Sequence, residues 1–160
     1  MLPIPIGSAR TPEDGRLELI QRGRELEILV DGRVLMSSAL HGSEEAMAKI
    51  ACHHVSGLHR PRVLVGGLGL GYTLRAALDR LPETAEVVCV ELMPEIVEWH
   101  SGPLGPLADH PLDDHRVRVV VDDLVRVIQR AGGDDTYDVV LLDVDNGPIP
   151  FTVVANWWLY

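Results

Sequence analysis

The sequence predicts an α/β fold, an open doubly wound parallel sheet preceded by a small antiparallel β ribbon. Three observations carry this expectation. After Arg60-Pro61, four short strand-like runs alternate with stretches of helical character, and strands joined by helices are constrained to run parallel. The centres of three of them, VLV (63–65), VVCV (87–90) and VVLL (139–142), are continuously apolar, the pattern of strands buried on both faces. Upstream, residues 16–37 instead alternate apolar and polar, which marks a sheet with one face in water.

In chain order, RLELIQRGRELEILVDGRVLMS (16–37) reads as two or three antiparallel strands, with Asp31-Gly32 supplying the positive φ values of a tight hairpin turn. A helix follows, with Ser43 as its expected N-cap and Glu44 and Glu45 suited to its positive end. Met47, Ile50, Ala51 and His54 share one of its faces, to about Val55. Strand VLVG (63–66) leads to a helix from Tyr72 to Leu81, stopped before Pro82. Strand EVVCVE (86–91) leads to a helix from Pro94 to His100, opened by its proline. Residues 101–115 hold too much Pro and Gly for a regular element, RVRVVVDD (116–123) forms a third strand, and the next helix ends near Gly132-Gly133. YDVVLLDVD (137–145) is the fourth strand. The expected division is a tail and ribbon over residues 1–41 and a sheet domain over 42–160. That sheet has fewer strands than a complete one of its type, so the domain is expected to lack its last strands.

Composition narrows the function. A chain of 160 residues is expected to have room for one domain, not two, and 14 basic against 24 acidic residues give a net charge of −10. No basic stripe suits a nucleic-acid backbone, whereas an acidic site favours a cationic ligand. No apolar run is long enough to span a bilayer, and MLPIPIGSAR is unlike a secretory leader. Cys52 and Cys89 lie in apolar surroundings and read as reduced, buried thiols. A cytoplasmic protein with no membrane and no nucleic-acid partner is expected. The seven histidines show no metal-ligating spacing, so no metal is expected, and no G-x-S-x-G elbow is present.

Ligands of doubly wound sheets bind beyond the carboxyl ends of the strands, and the unusual residues stand there. The first strand runs into Gly66, Gly67, Gly69 and Gly71, which let backbone approach a ligand closely. The second ends in Glu91, a carboxylate able to accept both hydroxyls of a ribose. The third ends in Asp122 and Asp123, one of which is expected to cap the following helix. The fourth ends in Asp143, with Asp145 and Asn146 in the turn beyond. Asp143 follows four apolar residues, and a carboxylate there is costly unless a cation or donor meets it.

VLVGGLGLG, the acid of VVCVELMPEIVEW, the Asp pair after VRVVV, and YDVVLLDVDNGP resemble the polyamine aminopropyltransferases, the spermidine synthase-like family. LVDGRVLMSS and GSEEAMAKIACHH are similar to that family's N-terminal ribbon and following helix, so the resemblance covers roughly residues 25–148. It implies the Rossmann-like fold of S-adenosylmethionine-dependent methyltransferases. It also implies an S-adenosyl nucleoside as group donor, either S-adenosylmethionine or its decarboxylated form, and a small cationic amine as acceptor. Gly66, Gly67, Gly69 and Gly71 would pass beneath the nucleoside, Glu91 would hold its ribose, and Asp123 or Asp122 would meet the adenine amino group. Asp143 would take a proton from the attacking amine, with Asp145 and Asn146 binding that amine. The chain departs from the family in lacking an aspartate within its glycine loop and in carrying Asn146 where an Asp-x-x-Asp would end. A methyltransferase and a non-catalytic nucleoside-binding or interaction module are the alternatives. A homo-oligomer formed through the ribbon or an exposed sheet edge is expected.

Overall fold

A computed structural model of the chain describes residues 2–132 and 136–144. Contacts group them into two compact units, one containing the residues up to His41 and the other Gly42–Asp143. The first unit is a four-stranded antiparallel sheet in the order β1-β2-β3-β4, comprising β1 (Ile4–Arg10), β2 (Arg16–Arg22), β3 (Glu25–Val30) and β4 (Arg33–Ser37). The period-two pattern buries Leu17, Leu19, Leu26, Ile28 and Val30. The β3–β4 turn forms at Asp31-Gly32 with φ values of 50° and 74°, and Asp31 Oδ1 also accepts from the amide of Arg16 at 2.7 Å. Strand β1 goes beyond the ribbon read from the sequence. Pro5 and Gly7 within it, and Pro3 just before it, disguise it, and its register shifts between Pro5 and Gly7; an edge strand tolerates a residue without an N–H.

The second unit begins with α1 (Gly42–His53). Ser43 lies inside its first turn, with its hydroxyl donating to Glu44 at 2.7 Å, so the serine does not cap the helix as expected. There follow β5 (Arg62–Gly66), α2 (Tyr72–Leu78), β6 (Glu86–Glu91), α3 (Pro94–His100), β7 (Val117–Val121), α4 (Leu124–Arg130) and β8 (Val139–Leu142). The four strands form a parallel sheet in the order β7-β6-β5-β8, with β5 and β6 inside. Val63, Leu64, Val65, Val87 and Cys89 are fully buried, together with Leu74 and Leu78 of α2. This is the α/β arrangement the apolar runs predict. Both cysteines are free and buried, and burial pushes the Cys89 thiol up to about 12. No helix among the described residues is long and apolar enough to cross a membrane.

The segment before β7 is more regular than its Pro and Gly content suggests. It forms two 3₁₀ turns, Gly105–Ala108 and Pro111–Asp113, separated by Asp109 and His110 at φ 51° and 48°. Arg116 then anchors the start of β7. Its Nε and Nη2 reach Asp114 at 2.9 and 2.7 Å, and Nη1 donates to the carbonyl of Leu81 at 2.9 Å. The Arg116 side chain is only 6% exposed, so its hydrogen bonds hold the Asp114 carboxyl down to about 2.

Arg116→Met should therefore lower unfolding stability by about 3 kcal/mol, the scale for leaving one partner of a buried ion pair uncompensated. Because the Asp114 carboxyl titrates lower folded than unfolded, its contribution is complete above about pH 4 and fades as the pH falls toward 2. Urea unfolding of both proteins across that range checks the loss, and the gap between them should close in acid.

Candidate functional site

Strand order places the site. From β5 the chain winds outward to β6 and β7, then returns across to pair β8 with the other side of β5. The order reverses between β5 and β8, and such a switch point opens a crevice at the strand ends. Register aligns what stands there. Gly66 pairs with Val90 on one side and with Leu142 on the other, so Gly67, Glu91 and Asp143 leave three adjacent strands at one level. With strands about 4.8 Å apart, the backbones of Glu91 and Asp143 stand roughly 10 Å apart with Gly67 between them.

Gly66 ends β5, and a Cβ there would lie 2.4 Å from Leu124 Cδ2, so its missing side chain admits α4 against the strand. Gly67, with φ 86°, donates its amide to Val90 at 2.9 Å. Gly69 has φ 48°, and Gly71, at φ 88°, is the N-cap of α2. At Gly71 glycine is required twice over: its φ is left-handed, and a Cβ would come within 2.8 Å of His100.

Glu91 is 6% exposed and faces the loop. Its Oε2 accepts from the amides of Leu68 at 2.9 Å and Gly69 at 3.3 Å, and its Oε1 accepts from Met93 at 2.9 Å. The acid is thus part of the loop's own construction. The paired aspartates separate in role. Asp123 caps α4, its Oδ1 accepting from Val125 at 2.7 Å and Arg126 at 3.4 Å. Asp122 Oδ2 lies 3.0 Å from Arg130, whose side chain is 71% exposed. Asp143 donates its amide to Gly66 at 2.8 Å, and its Oδ2 accepts a 2.6 Å hydrogen bond from Thr73, a buried residue of α2. Asp145 and Asn146 lie outside the described residues. No three His, Cys, Asp or Glu side chains among the described residues cluster as metal ligands would.

Neither Thr73 nor His100 is among the site residues expected from the sequence. Thr73 looks like an ordinary helix residue until the fold sets it against Asp143. His100 reads as a helix end, and its signal was its spacing: with Ile96 it forms the buried i, i+4 face of α3. Its Nε2 lies 3.0 Å from the Gly69 carbonyl oxygen, and burial, the largest influence, holds its pKa below that of a free imidazole.

No family model matches the chain. Over 83 residues it is 36% identical to polyamine aminopropyltransferase 2 of Caldanaerobacter subterraneus subsp. tengcongensis, a stretch covering 52% of this chain and 26% of that protein. Spermidine synthase from Thermotoga maritima superposes with a TM-score of 0.70 at 18% identity, over 88% of this chain and 47% of that one. A spermidine synthase in complex with the transition state analogue AdoDATO gives 0.71 at 18% identity, over 92% and 50% of the two chains. A probable spermidine synthase from Corynebacterium glutamicum gives 0.58 at 22% identity, over 89% and 53%. The chain spans about half the length of these synthases. It is spermidine synthase-like in fold, and similar in sequence to an aminopropyltransferase over half its own length.

Glu91→Gln should lower stability by about 2 kcal/mol, because one amide nitrogen of glutamine must then face a backbone N–H and a charge-assisted hydrogen bond is lost. Denaturant unfolding of the variant checks this; an unchanged midpoint would remove Glu91 from the loop's construction.

Proposed function

We propose that this spermidine synthase-like chain carries the nucleoside-binding part of a transferase that moves an aminopropyl group from decarboxylated S-adenosylmethionine to a polyamine amine, with residues 42–160 as its Rossmann-like domain. The observation that carries the reading is the alignment of Glu91, the glycine loop and Asp143 across three neighbouring strand ends at the switch point. The sequence similarity to an aminopropyltransferase supports the same choice.

The residues present fit an adenosyl group. Oε1 of Glu91 accepts once from the protein, and a carboxylate oxygen can accept twice, which leaves it capacity for a ribose hydroxyl. The adenine amino group would fall to Asp122 or Asp123: the cap uses only Oδ1 of Asp123, and Asp122 accepts from the Asp123 amide through Oδ1 and meets the exposed, screened Arg130 through Oδ2. Gly67, the half-buried glycine of the loop, brings backbone rather than a side chain to the face where the nucleoside would lie, while Gly71 is turned toward His100.

The donor supplies a carbon activated by its sulfonium. A neutral amine nitrogen bonds to that carbon as the carbon–sulfur bond breaks, methylthioadenosine leaves, and the amine's proton passes to Asp143 as general base. Thr73 orients the carboxylate that receives it. Alignment and the electrostatics of moving positive charge supply most of such catalysis. Carboxylates at the strand ends favour a donor lacking its own carboxylate over S-adenosylmethionine, and favour an ammonium-bearing acceptor held by Asp145 and Asn146. Self-association through the ribbon or the edge of β8 is part of the same proposal.

In the full-length protein, Asp143→Asn should reduce turnover by at least about 10², the lower bound for a positioned base, with affinity for methylthioadenosine unchanged. Incubation with each donor and a polyamine, followed by product analysis, tests the reading. Methylthioadenosine is expected from the decarboxylated donor. S-adenosylhomocysteine would instead assign methyl transfer, and no product from either donor would leave a binding module.

A further inference from the structure

One buried polar side chain outside the strand ends reaches into the glycine loop. His100 closes α3 and is 4% exposed. A carbonyl can only accept, so the 3.0 Å contact with Gly69 fixes the proton on Nε2. Nδ1 is then a bare acceptor, buried without a hydrogen-bond partner among the described residues. Such a nitrogen costs stability that an apolar side chain of similar volume would not. The ring is therefore a poor choice for packing alone, and its donor is what distinguishes it.

That donor completes a clamp. Glu91 Oε2 holds the Gly69 N–H at 3.3 Å, and His100 Nε2 holds the Gly69 carbonyl. Gly69 itself sits at a left-handed φ of 48°, a conformation that glycine leaves readily. Rotation of either flanking peptide would break one of the two bonds. The ring also lies against Gly71, where a Cβ would come within 2.8 Å of its Cε1. Burial disfavours the cationic ring, so at neutral pH the loop is held by a neutral donor that adds no positive charge beside a sulfonium.

We infer that His100 is a positioning residue for the nucleoside site, its Nε2–H fixing the Gly69 carbonyl and with it the turn from Leu68 to Gly71 in the form that receives the ligand. This rests on the reading of the loop as a nucleoside platform, and two variants with two readouts separate the questions. His100→Met fills the space without a donor, and His100→Gln restores an N–H at similar reach. Amide hydrogen exchange at Leu68, Gly69 and Gly71 is measured without ligand, and methylthioadenosine affinity by calorimetry, both on the full-length protein. The Met variant should exchange at least about tenfold faster at these amides and bind at least about tenfold more weakly, with the Gln variant returning toward wild type in both. Unchanged loop exchange in His100→Met, or equal loss in both variants, overturns the inference. Failure of the wild type to bind methylthioadenosine overturns the nucleoside reading instead, and the exchange data still decide whether His100 holds the loop.

Discussion

A carboxylate buried at the end of a parallel strand must be surrounded by donors, and Glu91 obtains its donors from backbone alone. Its three accepted bonds come from Leu68, Gly69 and Met93. Two of those amides are free only because the glycines turn the chain before α2 begins, and the third lies where the chain enters α3. The acid therefore ties the β5–α2 connection to the β6–α3 connection. The turn at Leu68-Gly69 and the entry to α3 at Met93 are thus joined through one carboxylate. A structural and a ligand-binding role are compatible here, because a carboxylate has more acceptor capacity than the protein uses.

The clamp on Gly69 extends the same logic. A glycine-rich loop has little side-chain bulk with which to hold itself, so its rigidity must come from hydrogen bonds to neighbouring elements. β6 supplies one through Glu91 and α3 supplies the other through His100. The permissive backbone is thereby restricted by groups beyond the loop.

The inner sheet was legible because burial on two faces leaves a clear record: VLV and VVCV emerge as β5 and β6 with only their ends shifted. VVLL emerges as β8, but there the apolar run overstates burial, since only Leu141 is buried and Val140 is 44% exposed. The Asp31-Gly32 turn was legible because few residue pairs adopt two positive φ values. Strand β1 was hidden by prolines that an edge can accommodate. Ser43 misled because a capping residue and a first-turn residue look alike in sequence when the preceding glycine can itself join the helix. At the site, the strand-end acids announced themselves by position. Their partners did not, since Thr73 meets Asp143 across 70 residues of sequence and His100 meets Gly69 across 31. Such pairings are properties of the strand order, and local pattern carries no record of them.

The short last strand has its own consequence. β8 contributes four residues, yet it must deliver Asp143 to the correct side of the crevice. Side chains alternate faces along a strand, so a slip of one position would turn that acid to the opposite face of the sheet. The chain guards against this at the strand's beginning. Asp138 donates its amide to the Arg62 carbonyl at 2.8 Å and accepts from the Arg62 amide at 2.7 Å, while the Arg62 guanidinium lies over the Tyr137 ring, 5.6 Å from its centre. Arg62 opens β5, the strand that ends in Gly66. The phase of the acid at one end of the sheet is thus fixed by a pin at the other, and a single-residue deletion within Val139–Leu142 would remove the carboxylate from the crevice as surely as replacing it.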